Sequence, residues 1–302
     1  MKTMTHYETK VLQEIKEWEQ AGPGRLIKSI DILGAPIRMV IKSVPESVKH
    51  SVGKAIMGFM EMLKDISYWS FSNKSILKEA RKCGINAETI SDLADQDLQK
   101  LDRLARGYFS SNKVIAALEG AGCGLGGFAL IAADIPALLG IGFRSIQQIG
   151  ISYGFNMQNP DMVPVIMGVL HASSGVSVAV KSSVLADMHI AAAALVRDVA
   201  YKEIAERTKT GVVVELLTRS TGVLPRQLAE NITRRKLSQL IPIVGAAIGA
   251  GFNYWFMGNI VVSAFMIFRK MHLERKYPVT EVKTPGRLRL ALQKLGRRKR
   301  ID

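Results

Sequence analysis

The sequence contains few of the residues and segments that mark secreted or disulfide-bonded proteins. Among 302 residues there are only two cysteines, Cys83 and Cys123, with no C-x-x-C spacing between them. We therefore expect neither a disulfide framework nor a zinc site. The first twenty residues carry four glutamates where a signal peptide would have an apolar run. The expected location is therefore the cytoplasm.

Motifs that carry catalytic chemistry are also missing. There is no H-E-x-x-H, no G-x-S-x-G, no Walker A loop and no pair of carboxylates at catalytic spacing. Asp187 and His189, with His171, are the nearest approach to a metal site, but no further ligand follows at a suitable spacing. We therefore assign no catalytic residue, no metal and no cofactor, and a non-enzymatic role is favoured.

No segment alternates apolar and polar residues as a β-strand does, whereas helical spacing is frequent. In His6–Gln20 the apolar residues Tyr7, Val11, Ile15 and Trp18 lie at helical spacing, and Gly22-Pro23-Gly24 follows. Residues 25–72 contain two more amphipathic segments, both basic, that either pack on a core or dock on an anionic leaflet. Residues 74–106 indicate two polar helices.

The pattern predicts an all-α fold, a helical bundle with two glycine-rich apolar hairpins at its core. We divide the chain into three parts. Residues 1–72 form basic amphipathic helices, residues 73–278 form the helical core, and residues 279–302 form a basic tail.

A glycine-rich run over residues 119–140 fits two different motifs. Gly122, Gly124 and Gly127 match G-x-G-x-x-G, but no strand precedes them and the nearest acid, Asp134, comes too early for a dinucleotide site. Glycines four residues apart also remove side chains from a helix face and allow a second backbone to approach. We predict helix contacts at seven glycines: Gly120, Gly122, Gly124, Gly126, Gly245, Gly249 and Gly251.

The longest uncharged run extends from Leu237 to Phe268 and has basic residues at both ends. Pro242, Asn253 and Gly258 are predicted to divide it into pieces of about a dozen residues, shorter than the roughly 20 residues that a membrane span needs. Three interpretations remain: buried core helices, a membrane-embedded hairpin, or a full span.

Asp134 is an acid between two apolar stretches and is followed by Pro136. An acid in this position would cap the next helix, pair with Arg144, or bind a ligand. The third possibility would make the protein an enzyme or carrier with an apolar lipid or peptide pocket near Asp134.

Positive charge dominates the sequence, with a net charge of +15 that calls for an anionic partner. From Arg269 to Asp302 there are twelve Lys and Arg against three Asp and Glu, and no aromatic residue follows Tyr277 to stack on bases. An anionic membrane surface is therefore a better partner than nucleic acid, and a purely solubilising tail is the other alternative. The candidates for lipid contact are Arg297, Arg298, Lys299 and Arg300.

Two groups of residues resemble the bacterial EcsC protein family over most of residues 5–278, with a weaker match at Tyr7-Glu8 and Trp18. The first group comprises residues 119–122, 126–127, 133–138, 144, 147–150 and 153–154; the second comprises 241–242, 245–247, 249–251 and 253–254. From these groups we take as candidate functional or structural residues Glu119, Asp134, Arg144, Gln148 and Asn253.

The resemblance implies an all-helical protein that is cytoplasmic or membrane-associated, with no established reaction or cofactor. The family is named for its association with an ABC-type transporter operon implicated in peptide secretion. A transporter subunit or a second copy of the chain is therefore a candidate partner. We expect a non-catalytic accessory or binding protein, peripheral at the inner face of the cell membrane.

Overall fold

The computed structural model describes residues 3–21, 73–109, 127–159, 162–173 and 245–277, with isolated positions between 46 and 58 and between 181 and 185. Over 127–135 and 245–252 it describes the backbone alone. Within these ranges the chain forms α-helices and one 3₁₀ helix, with no strand. The predicted all-α fold is confirmed.

Six α-helices and the 3₁₀ helix lie within the described ranges. They are α1 (His6–Gln20), α2 (Asn73–Lys82), the 3₁₀ helix (Ser91–Asp95), α3 (Leu98–Arg106), α4 (Gly127–Ser152), α5 (Val163–Ser173) and α6 (Gly245–Lys276). Helix α1 has the bounds that its apolar spacing predicts. It starts at a capping box, in which the Thr5 hydroxyl accepts from the Glu8 N–H and the Glu8 carboxylate accepts from the Thr5 N–H.

Helix α6 lies at the centre of the described core. It packs along α4 and α5, and it also contacts α1 and α3, while α2 packs on α4. Phe256, Ile260 and Phe268 of α6 and Ile146 and Ile149 of α4 are fully buried. Of the three interpretations of the second apolar run, these contacts match buried core helices.

The described part of that run, residues 245–268, lies within a single helix of 32 residues, so the expected division at Asn253 and Gly258 is wrong. Neither residue removes a backbone hydrogen-bond donor as proline does, and a glycine costs a helix only about 1 kcal/mol, which packing can offset. Pro242 lies outside the described residues. None of the helices in the described ranges combines the length and the apolar character needed to cross a bilayer.

Close glycine contacts join α4 to α6, but at glycines that the sequence pattern did not single out. A Cβ atom on Gly142 would lie 2.7 Å from Cδ1 of Ile260, and one on Gly150 would lie 2.8 Å from Cζ of Phe268. Of the seven predicted contact glycines, Gly120, Gly122, Gly124 and Gly126 lie outside the described residues. Gly245, Gly249 and Gly251 are described only as helical backbone, so the prediction stays open for all seven.

Asp134 does not cap a helix. Helix α4 continues through residue 134 and through Pro136, whereas an N-cap residue has non-helical dihedral angles and precedes its helix. A buried ion pair with Arg144 is not supported either, because Arg144 is exposed on the same helix. Ten residues of helix also separate the two positions by about 15 Å along the axis.

Candidate functional site

A buried ion cluster forms where α1, α3, the end of α4 and α6 meet. Its members are Tyr7, Glu14, Asp102, Tyr153 and Arg269. Arg269 Nη2 lies 2.8 Å from Asp102 Oδ2, and Arg269 Nη1 lies 2.9 Å from Glu14 Oε2. The hydroxyls of Tyr7 and Tyr153 donate to the Asp102 carboxylate at 2.5 and 2.6 Å. Three donors from three different segments therefore converge on one carboxylate.

The centre of the cluster, Asp102 with Arg269 and Tyr153, is desolvated, whereas Tyr7 and Glu14 are partly exposed, and the pKa values show the effect. Asp102 and Arg269 are each 1 % exposed. Burial raises the pKa of Asp102, while the charge of Arg269 and the tyrosine hydrogen bonds oppose that rise. Burial and the nearby carboxylate raise the pKa of Tyr7 to about 12, so Tyr7 remains a hydrogen-bond donor. A buried pair that loses one partner leaves an uncompensated charge, so the cluster fixes the relative positions of its helices.

Further ion pairs extend the contact between α1 and α6. Lys276 Nζ lies 2.7 Å from Glu8 Oε1, and Lys270 Nζ lies 2.6 Å from Glu19 Oε1. The two helices run antiparallel, since Glu8 pairs near the end of α6 and Glu14 pairs with Arg269, one to two turns earlier. The N-terminal helix is thus fastened to α6 along its length.

Glu8 is the most strongly engaged acid of this contact. Its burial acts to raise its pKa, but hydrogen bonds from Lys276, Thr5 and Tyr277 outweigh burial and lower the pKa from 4.5 to about 2. A carboxyl whose pKa is lower in the folded state stabilises the fold above its unfolded pKa. That stabilisation is lost as the pH falls through the folded pKa.

We therefore expect Glu8→Gln to reduce the pH dependence of stability between pH 4.5 and pH 2, where the wild type loses the contribution of Glu8. The contribution is at most about 3 kcal/mol. Urea unfolding at a series of pH values measures it. The control is Glu17→Gln, because Glu17 is exposed on the same helix. Equal pH profiles for Glu8→Gln and wild type would show that Glu8 is not ionised against its partners.

A second, half-buried basic side chain, Arg275, lies at the C-terminal end of α4. Arg275 donates from Nη2 to the carbonyl of Tyr153 at 2.7 Å and to that of Ala94 at 3.3 Å, and its guanidinium lies 4.6 Å from the Phe155 ring centroid. Beside it, burial and the charge of Arg275 lower the pKa of His272 to about 3, so this imidazole is neutral at pH 7. Arg275 therefore binds backbone carbonyls and links the 3₁₀ helix to the loop after α4.

The chemistry of the ion cluster is structural. Its carboxylates accept from cations and hydroxyls of the protein, and the side chains of Asp102, Arg269 and Tyr153 are shielded from solvent. In the part of the chain that the structure describes, no group of His, Cys, Asp and Glu side chains is arranged to hold a metal ion. His171 is buried in α5, and residues 187 and 189 lie outside that part.

The candidate residues from the sequence do not belong to this cluster. Arg144 is exposed on α4, Gln148 is buried on the same helix, and Asn253 is fully buried on α6. The structure describes only the backbone at Asp134. Glu119 and the four lipid-contact candidates, Arg297, Arg298, Lys299 and Arg300, lie outside the described residues.

Sequence analysis missed the ion cluster, although two signals were present. Asp102 lies on the apolar face of α3, four residues after Leu98 and three before Ala105, where a solvated acid would not be expected. Thr5-x-x-Glu8 is a capping-box pattern, and such a pattern marks the start of an ordered helix.

The fold and the cluster define an all-helical protein in which an N-terminal helix is held to a long C-terminal helix by buried ion pairs. The model of the EcsC protein family matches residues 9–273. The chain therefore belongs to the EcsC family, and the resemblance noted in the sequence is confirmed.

Two relatives from Bacillus subtilis (strain 168) show the extent of the similarity. The uncharacterized protein YdbA is 25 % identical over 273 residues, which cover 89 % of this chain and 94 % of YdbA. Protein EcsC is 26 % identical over 191 residues, which cover 63 % of this chain and 72 % of that protein. No solved structure matches the chain.

Proposed function

We propose that this protein is a non-catalytic accessory or binding protein that attaches peripherally to the anionic inner face of the cell membrane. The proposal depends on the way the basic residues near the C-terminus divide into two sets. In α6, Arg269, Lys270 and Lys276 pair with glutamates of α1 or with Asp102, and Arg275 binds backbone carbonyls. These four cations are engaged within the fold.

The second set lies beyond α6, in residues 279–302, which contain eight Lys and Arg and two Asp and Glu. Counting the tail from Arg269, as the sequence pattern suggested, therefore overstates the charge that it offers to a partner. The remaining excess is still positive. Each Lys or Arg near an anionic leaflet contributes about 1 kcal/mol of attraction. This excess charge is the observation that carries the proposal.

The non-catalytic part of the proposal is supported by the described core. Its acids and bases are shielded from solvent or paired with one another, as at Asp102 and Arg269, so they are not free to transfer protons to a substrate. The alternative, an enzyme or carrier with a pocket near Asp134, stays a hypothesis. An ABC-type transporter subunit as protein partner is likewise a proposal, supported only by the family resemblance.

Cosedimentation with lipid vesicles tests the attachment. We expect strong binding to phosphatidylserine-containing vesicles at low salt and weak binding to neutral phosphatidylcholine vesicles. Replacing Arg297, Arg298, Lys299 and Arg300 together by Gln should weaken binding to the anionic vesicles at least tenfold. The melting temperature should stay unchanged.

The matched control removes the same charge elsewhere. Lys10, Lys16, Lys74 and Lys78 are exposed on α1 and α2 and can be replaced together by Gln. This variant should keep most of the affinity for anionic vesicles. Equal losses in the two variants would show that net charge, rather than the tail, determines binding. Equal binding to neutral and anionic vesicles would overturn the electrostatic proposal.

A further inference from the structure

A cleft of about 400 Å³ opens at the C-terminal end of α4, between α2, the segment 88–91 and the loop 154–158. Its volume lies in the range of sites for small ligands, about 300–1,000 Å³. The ion cluster contributes no side chain to the lining described for the cleft. Along α4 the cleft is about 20 Å from Asp134, since Gln147 follows that residue by thirteen positions. It is therefore distinct from the pocket that the sequence suggested.

Gln147 is the most buried polar residue of this lining. The residue is 4 % exposed, and its side-chain amide is not among the buried polar groups of the described residues that are closed off from solvent without a partner. A largely buried amide that keeps some accessible surface can hydrogen-bond to water, or to a ligand that displaces that water. The remaining accessible surface of Gln147 faces the cleft. This amide is positioned to bind a group that enters from solvent.

The rest of the lining narrows the chemical class of that group. Ile151, Phe155 and Met157 supply buried apolar surface, while Asn73 and Gln158 supply further amides at the exposed rim. A carboxamide both donates and accepts hydrogen bonds, and so does a peptide group. Apolar surface beside such an amide suits a ligand in which a branched side chain is next to a peptide group.

The charge of the lining further limits the class of ligand that the cleft can bind. Glu88 is the charged residue in the described lining, so the cleft disfavours an acidic ligand and accepts a neutral or cationic one. We propose that the cleft binds a short peptide of two or three residues that has an apolar side chain beside a peptide group held by Gln147. The proposal is independent of membrane attachment, since it uses no residue of the tail.

A titration followed by amide NMR tests this proposal. The probes are two tripeptides: acetyl-Ala-Leu-Ala-amide, which mimics an internal segment of a protein, and Ala-Leu-Ala with free ends. We expect at least one of them to shift the side-chain amide resonances of Gln147 in the wild-type protein. Gln147→Met, which keeps the volume and removes the amide, should lower the affinity about tenfold. Acetyl-Ala-Glu-Ala-amide should bind more weakly than its leucine counterpart.

The control is Gln99→Met, at an exposed position of α3 away from the cleft, and it should leave the affinity unchanged. Preference for the blocked peptide would identify a protein segment as the source, and preference for the free one would identify a free peptide. The proposal is overturned if neither peptide shifts the Gln147 resonances at about 10 mM, a concentration that would detect even very weak binding. It is also overturned if a folded Gln147→Met variant binds as the wild type does.

Discussion

Asp102→Ala should lower the free energy of unfolding by about 3–5 kcal/mol, because it removes the buried carboxylate from Arg269 and leaves this guanidinium with only the partly exposed Glu14 as an ionic partner. Arg269 is 1 % exposed and lies 2.8 Å from Asp102, so water cannot replace the lost partner. The hydroxyl of Tyr153, which is fully buried, loses its acceptor as well. Asp102→Asn should be nearly as unfavourable, since asparagine keeps the shape and removes the charge. Urea unfolding at pH 7 measures both variants.

Asp97→Asn is the matched control on the same helix. Asp97 caps α3 by accepting from the backbone N–H groups of Gln99 and Lys100, a role that asparagine performs equally well. It removes one negative charge, as Asp102→Asn does, and should change stability by less than about 0.5 kcal/mol. If Asp102→Asn were as mild as Asp97→Asn, Asp102 would not be ionised against Arg269, and the cluster would not hold the helices together.

Gly154→Ala should also destabilise the protein, by about 2–5 kcal/mol. Gly154 has a φ of +76°, a conformation that costs an L-residue about 1–2 kcal/mol. A Cβ atom there would lie 2.5 Å from the backbone nitrogen of Ala94. This contact is with backbone, so no side chain can rotate away, and overpacking of this kind costs about 1–3 kcal/mol more. Because the loop after α4 lies this close to the 3₁₀ helix, the Arg275 guanidinium can donate to the carbonyl of Tyr153 and to that of Ala94.

Gly84→Ala separates the two contributions. Gly84 has nearly the same backbone conformation, with a φ of +73°, but a Cβ atom there would meet nothing within 4 Å. Its cost should therefore be the conformational part alone, about 1–2 kcal/mol. The difference in melting temperature or urea midpoint between the two variants measures the steric part. Equal losses at both positions would mean that the loop after α4 does not press against the 3₁₀ helix.

Local patterns predicted the local structure well. Helix α1 has the bounds that Tyr7, Val11, Ile15 and Trp18 indicated, because one apolar stripe at helical spacing was enough to define it. The all-α fold and the family followed from the absence of strand patterns and from the glycine-rich motifs. The division of the chain at residues 72 and 278 is still a prediction, although α1 packs on α6 of the expected core.

Contacts between residues far apart in the sequence could not be predicted from local patterns. Residues 74–106 were predicted as two polar helices, but Asp102 of this segment meets Arg269 across 167 residues of chain, and spacing within one helix carries no information about such a partner. Helix continuity was also misjudged at Asn253 and Gly258, because packing on α4 and α5 overrides weak helix propensity. The capping role expected of Asp134 failed for a related reason, since α4 continues through Pro136.

The most direct test of the central claim is the salt dependence of vesicle binding by the full chain. An attachment made by exposed cations is screened over about 8 Å at physiological ionic strength and over about 3 Å in 1 M salt. We therefore predict that the protein cosediments with phosphatidylserine-containing vesicles at low salt and is released as NaCl is raised to about 1 M. Protein that stays in the pellet at high salt and after extraction with alkaline carbonate would contradict peripheral attachment and indicate insertion into the bilayer.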